Sequence, residues 1–192
     1  MTSANQQQTD AELIQAYTRG DEAAFEALVR RHLPAMYRFL TRMTNDAAVA
    51  EDLAQETFLK VWRHINRFDV TKPFTTWLYT IAKNTVLDYF KKKRAIPFSD
   101  IDGEMQDGES FAETLEDESP LVSVLLERAE AGEEVMTALA ALPPTQRMAI
   151  LLHDAEDLTF QEISEVSGEK LDTVKSRYRR GVLALKKKFL QE

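Results

Sequence analysis

Along most of this chain apolar residues recur at intervals of three and four, and no stretch alternates apolar with polar over a useful length. Such a pattern buries one stripe on each of a series of helices and leaves no face that a sheet could use, so the expected fold is all-α. In residues 10–31 the stripe is Leu13, Ile14 and Tyr17, then Phe25, Leu28 and Val29, with Gly20-Asp21 as a break and restart. Residues 33–43 continue with Met36, Tyr37, Phe39, Leu40 and Met43. Asn45 or Asp46 can then cap a helix whose apolar face runs Val49, Leu53, Phe58, Val61, Trp62 and Ile65. After residues 69–73, a Thr75-Thr76 cap opens a segment with Leu78, Ile81, Ala82, Thr85 and Tyr89 on one stripe, ending in Lys91-Lys92-Lys93-Arg94.

The period stops at residue 96. Residues 96–120 contain Gly103, Gly108 and two prolines and are strongly acidic, the profile of a linker that cannot bury itself. Beyond it, residues 121–142 read as helical with Val135, Met136, Leu139 and Leu142 aligned, Pro143-Pro144 stops them, and residues 145–155 resume with Met148, Leu151, Leu152 and Ala155. The expected organisation is two small helical domains, residues 10–95 and 121–192, joined by an acidic flexible linker at 96–120.

The formal charge of −8 argues against nucleic acid as a partner until its distribution is considered. Residues 175–188 carry seven basic and no acidic residues, whereas residues 99–118 carry nine acidic and no basic ones. Basic and acidic surfaces therefore have separate roles. The chain has no cysteine, which removes disulfides, thiol nucleophiles and cysteine-based zinc sites. Its three histidines, His32, His64 and His153, show no ligand spacing, so neither metal nor cofactor is expected. Residues 1–9 are polar, without the basic start and apolar stretch of a secretory signal, and read as a frayed tail. No apolar run is long enough to span a bilayer, and the expectation is a cytoplasmic protein without membrane insertion.

The most informative motif lies near the C-terminus. A short helical pattern at 159–166 follows a turn at Asp157-Leu158; Gly168 permits a second tight turn, and a basic helix starts at Leu171 or Asp172 and runs to about residue 188. This is the outline of a helix-turn-helix, in which the N-terminal half of the second helix offers side chains to base edges while flanking cations hold phosphates. Lys175, Ser176, Arg177, Arg179 and Arg180 supply such donors. A solvated amphipathic helix is the plainer reading of a basic run, but cations this dense with no acid among them repel one another unless an anion is the intended partner.

With that motif in view, the chain resembles a known family. "ALPPTQRMAILLHDAEDLTFQEISEVSG" followed by "DTVKSRYRRG" resembles the C-terminal promoter-reading domain of extracytoplasmic-function (ECF) sigma factors. "AEDLAQETFLKVW" with "PFTTWLYTIAKNTVLDYFKKKR" resembles their N-terminal domain. The two blocks come in the family's order and cover residues 10–94 and 133–190. The resemblance implies an alternative sigma factor: no catalytic residues of its own, core RNA polymerase and promoter DNA as partners, and an anti-sigma factor as inhibitor. By position, it implies that Asp52, Gln55, Glu56 and Phe58 dock on the polymerase. Trp77, Tyr79 and Asn84 fall in the segment that melts the minus-ten element and captures an extruded base. Asn84 is the base-contact candidate because its amide both donates and accepts, and Lys83, Lys91, Lys92, Lys93 and Arg94 would hold the strand's phosphates. By helical period alone Trp77 reads as a core residue. Lys175, Ser176, Arg177, Arg179 and Arg180 match the reader of the minus-35 element, Arg177 lying on a face that the motif also uses for packing. The resemblance implies that the acidic linker threads the polymerase's RNA path, whereas its composition reads equally as a solvated tether.

Ser167 and Glu169 flank the turn glycine where the family usually has apolar residues, so Val166 and Leu171 are expected to take over packing between the two motif helices, or the turn to shift by a residue. A helix-turn-helix regulator independent of polymerase docking would explain residues 133–190 but leave "DLAQETF" and "TIAKNTVLDYF" without a role. An enzyme needs a clustered nucleophile and base, a metal set or a phosphate loop, and the sequence contains no such group.

Overall fold

The computed structural model describes residues 8–94 and 132–189, and among these every regular element is a helix. Helix α1, Asp10–Thr18, begins at Thr9, whose hydroxyl accepts the N–H of Glu12 while the Glu12 carboxylate accepts the N–H of Thr9. Thr9, expected in a frayed tail, is thus a helix cap, and Arg31 ties Gln8 down by donating to its carbonyl at 2.5 Å. Gly20, at φ +103°, makes the expected break, and Asp21 caps α2, Glu22–Thr44. Asn45 ends α2 in the left-handed conformation at φ 53°, and Asp46 starts α3, Ala47–His64, by accepting the N–H groups of Ala48 and Val49. The two candidate caps therefore divide the work, one closing a helix and the other opening the next.

After a single 3-10 turn at Ile65–Arg67, α4 spans Phe74–Arg94. It starts right behind Pro73, so Thr75 and Thr76 lie inside its first turn rather than capping it, and Thr76 is buried. The α4 stripe is also rotated from the one expected. Tyr79, Val86 and Phe90 join Leu78, Ala82 and Thr85 in the interior, while Ile81 and Tyr89 are only half-buried. The cause is that α4 packs on two sides, against α3 and α2 and also against a helix of the second bundle.

That second bundle comprises α5, Gly132–Ala141; α6, Pro144–Ile150, continued by a π-helical turn at Leu151–Ala155; α7, Phe160–Ser167; and α8, Leu171–Phe189. Pro143 ends α5 and Pro144 occupies the first turn of α6, where its missing N–H costs nothing. Gly181 lets α8 cross α6 closely, since a Cβ there would fall 2.6 Å from Ile150 Cδ1. The expected linker at 96–120 and the start of the second domain at 121–131 lie outside the described residues.

The bundles pack directly on one another, α4 against α7 and α2 against α5 and α6. Buried Arg147 on α6 donates to the Met43 carbonyl at the end of α2, and to the carbonyls of Ala140 and, at 3.1 Å, Leu142 in its own bundle. Its guanidinium carbon lies 5.9 Å from the Phe90 ring centre on α4. None of the helices is long and apolar enough to cross a membrane among the described residues.

Candidate nucleic-acid interface

The helix-turn-helix forms as α7, a turn at residues 168–170, and α8. Thr159 and Glu162 close the start of α7 with the same reciprocal cap as α1, and Gly168 ends it in the left-handed conformation at φ +73°. Ser167 and Glu169 stitch the turn with hydrogen bonds. Glu169 donates its N–H to Ser167 Oγ (3.2 Å) and to the Ser164 carbonyl (3.3 Å), and its own carbonyl accepts from Ser164 Oγ (2.6 Å). Hydrogen bonds thus replace part of the apolar packing, while Ile163, Val166 and Val174 fill the space between the helices with Leu171 half-buried beside them. The register is that of a turn centred on Gly168.

On α8, Lys175, Arg179 and Arg180 are exposed and Ser176 is half-exposed. At about 100° per residue these four share an arc of roughly 140° on the N-terminal half of the helix. Arg177 points elsewhere, toward the turn, where its Nη1 lies 2.6 Å from Glu169 Oε1. Tyr178 faces inward and donates to the buried Asp154 carboxylate at 2.8 Å, with its ring stacked on His153.

The α4 candidates divide in the same way. Asn84 is exposed, and Trp77 and Ile81 precede it on one face at i−7 and i−3. Trp77 is half-buried against Phe68, 4.8 Å between ring centres, and Phe74, 5.8 Å, so it is both a core residue and an edge of that face. Tyr79, expected at the DNA, is instead buried, its hydroxyl donated to the Glu156 carboxylate 77 residues away. Burial, reinforced by that carboxylate, pushes the Tyr79 phenol well above its ordinary pKa, and burial likewise raises Glu156. Lys83 reaches the Ser167 carbonyl at 3.0 Å, and its half-burial lowers its pKa against the opposing pull of Glu169. Lys91 lies 3.5 Å from Asp88, Lys93 sits over the Tyr89 ring at 5.5 Å, Lys92 is exposed, and Arg94 closes α4.

The α3 candidates need one correction. Asp52, Gln55 and Glu56 are exposed, Glu56 pairing with Lys60 at 2.7 Å, but Phe58 is core. Its place on the outer face is taken by Leu59 and Trp62, 53% and 52% exposed. Trp62 was expected on the apolar inner stripe, and Leu59 carried no expectation; their spacing from Asp52 and Gln55, at i+7 and i+7, was the available signal.

A helix-turn-helix with an exposed cationic arc on its second helix defines a DNA-binding protein. Residues 28–96 match the Sigma-70 region 2 family and residues 132–185 match Sigma-70, region 4. The chain is 30% identical to the ECF RNA polymerase sigma factor SigW of Bacillus subtilis over 92% of its own length and 94% of the relative's. It is 35% identical to the RNA polymerase sigma-H factor of Pseudomonas aeruginosa, covering 94% of each. Among solved structures, CnrH in complex with the cytosolic domain of CnrY shares the fold, with a TM-score of 0.69 at 22% identity, over 95% of this chain and 98% of that one. The sigma factor RpoE of Bartonella quintana, solved with the anti-sigma factor NepR, superposes with a TM-score of 0.62 at 25% identity, over 85% of this chain and 94% of that one. The chain belongs to the extracytoplasmic-function sigma factors.

Proposed function

We propose that this sigma factor docks on core RNA polymerase through the outer face of α3, reads the minus-35 element with the exposed arc of α8, and captures a melted minus-ten base at Asn84 on α4. Acting with polymerase on the chromosome, it works in the cytoplasm, and the chemistry of RNA synthesis is the polymerase's own. The observation that carries the reading is the arc of Lys175, Ser176, Arg179 and Arg180, which meets solvent on the N-terminal half of the second helix of the motif, where base edges in the major groove would be reached. Asp52, Gln55, Glu56, Leu59 and Trp62 supply a mixed acidic and apolar face on a different helix, suited to a protein partner. An anti-sigma factor is the expected inhibitor, supported by the neighbour solved with one.

Run-off transcription from fragmented host DNA, with purified core and with or without this protein, tests the whole. Discrete new starts sharing two upstream motifs are expected; an active core that gives none with the folded protein present would favour a regulator that binds DNA alone.

Substitutions at Arg179, Arg180 and Asn84 test the DNA contacts. Changing Arg179 and Arg180 to Ala is expected to cost about 1–3 kcal/mol for each base that is no longer read, seen as a changed preference at particular minus-35 positions. Uniform weakening across all sequences would assign them to phosphates instead. Asn84→Ala is expected to slow promoter opening and erase the preference at one minus-ten base, since flipping that base costs a few kcal/mol that its receptor must offset. Opening and preference both unchanged, in a permanganate footprint across minus-ten variants, would remove Asn84 from the site.

A further inference from the structure

The turn of the helix-turn-helix holds a carboxylate in a fixed place. Glu169 is clamped at both main-chain groups, its N–H by Ser167 Oγ and the Ser164 carbonyl and its C=O by Ser164 Oγ. A residue held at both ends presents its side chain from a rigid base. That side chain is used on α8, where Glu169 Oε1 meets Arg177 Nη1 at 2.6 Å with the two side chains 28% and 17% exposed. Arg177 follows Lys175 by about 200° around the helix, off the arc of the other four donors. A guanidinium drawn back onto the turn is not presented to bases with them.

We propose that Glu169 is a positioning residue for minus-35 recognition: by holding Arg177 against the turn it sets the roll of α8, so that Lys175, Ser176, Arg179 and Arg180 read the DNA and Arg177 does not. The proposal rests on the reading of α8 as the minus-35 reader. Glu169 also keeps a cation away from the DNA backbone. Released, Arg177 would join the phosphate contacts, which raise affinity for every sequence alike. Partly exposed ion pairs add little to stability, so removing this one should alter discrimination far more than melting temperature.

The test uses holoenzyme assembled from core polymerase and the full chain, with binding measured across a library of minus-35 variants upstream of one fixed minus-ten element. Glu169→Ala and Arg177→Ala are each expected to lower the ratio of best-site to single-mismatch binding by roughly tenfold, and the double variant to lower it no further, as for two residues acting through one contact. Glu169→Ala should also raise binding to unrelated DNA, whereas Arg177→Ala should not. Glu169→Gln keeps an acceptor at the same reach and should retain most of the discrimination, with all four proteins melting within a few degrees of one another. Loss of preference at one base pair in Arg177→Ala that Glu169→Ala leaves intact would make Arg177 a reader and overturn the proposal. Unchanged discrimination in Glu169→Ala would overturn it equally. A wild-type holoenzyme with no minus-35 preference would instead overturn the underlying reading of α8, an outcome visible before any variant is made.

Discussion

Trp62→Ala is expected to weaken binding to core RNA polymerase by about 30-fold or more, on the order of 2 kcal/mol, while leaving the protein folded. Trp62 and Leu59 are more than half exposed on a helix whose other face is packed, and free solution offers neither of them a partner that would justify so much apolar surface in water. Large aromatic side chains at the centre of a docking face carry a disproportionate share of affinity, and Asp52, Gln55 and Glu56, exposed on the same side, would form its polar rim. Ala substitutions at those three should each have a smaller effect, about 1 kcal/mol or less, and at Asp52 and Glu56 one that fades as salt is raised. Equilibrium binding of labelled protein to core, with a parallel thermal melt, decides the matter. Unchanged affinity in a normally melting Trp62→Ala protein would show that the polymerase meets a different face.

Arg147→Ala should destabilise the fold by about 3 kcal/mol, lowering the melting temperature by roughly 6 to 12 °C in a chain of this size. Arg147 is 3% exposed and has carbonyls around it: Met43 from the end of α2, and Ala140 and Leu142 from the end of α5. Charge-assisted hydrogen bonds to helix-terminal carbonyls are among the stronger polar contacts, and removing the donor leaves those carbonyls buried without it. The Met43 contact also joins the two bundles, so the destabilisation should appear in both halves of the protein. Hydrogen exchange would show faster opening at the C-terminal end of α2 as well as in α5. Arg147→Lys keeps the charge on a single nitrogen that cannot span three acceptors, and should recover only part of the stability. A melting temperature unchanged in Arg147→Ala would mean that water satisfies those carbonyls.

Much of the fold is legible in the sequence because its signals act over a few residues. Thr159 with Glu162, Asp46 after Asn45, Gly20 and Gly168 all set backbone geometry through interactions no more than four residues away, and the helices begin and end where these residues stand. Thr9 with Glu12 is the same cap, disguised as a tail by its polar neighbours. The second helix of the motif is legible for the same reason, down to its three exposed cations and half-exposed Ser176. Arg177 is the exception, its direction set by Glu169 across the turn.

Among the described residues the sequence by itself therefore determined which segments are helical, most of the points at which they start and stop, and which helix carries the cationic arc, because period and capping are local. The inner stripes of α1, α2 and α5 also followed from period, but only the tertiary structure decided which apolar residues of α3 and α4 lie inside and which distant groups meet the buried polar ones. Buried Tyr79 packs on Phe39 and donates to Glu156 from 77 residues away, Lys83 is held by a carbonyl 84 residues away, and Arg147 reaches across 104 residues to Met43. In α3 the interior took Phe58 and left Trp62 outside, a choice between two large apolar side chains four positions apart. An apolar residue announces that it gains by leaving water, but what it is buried against depends on a helix brought there by the rest of the fold, and that term appears in no local window of sequence.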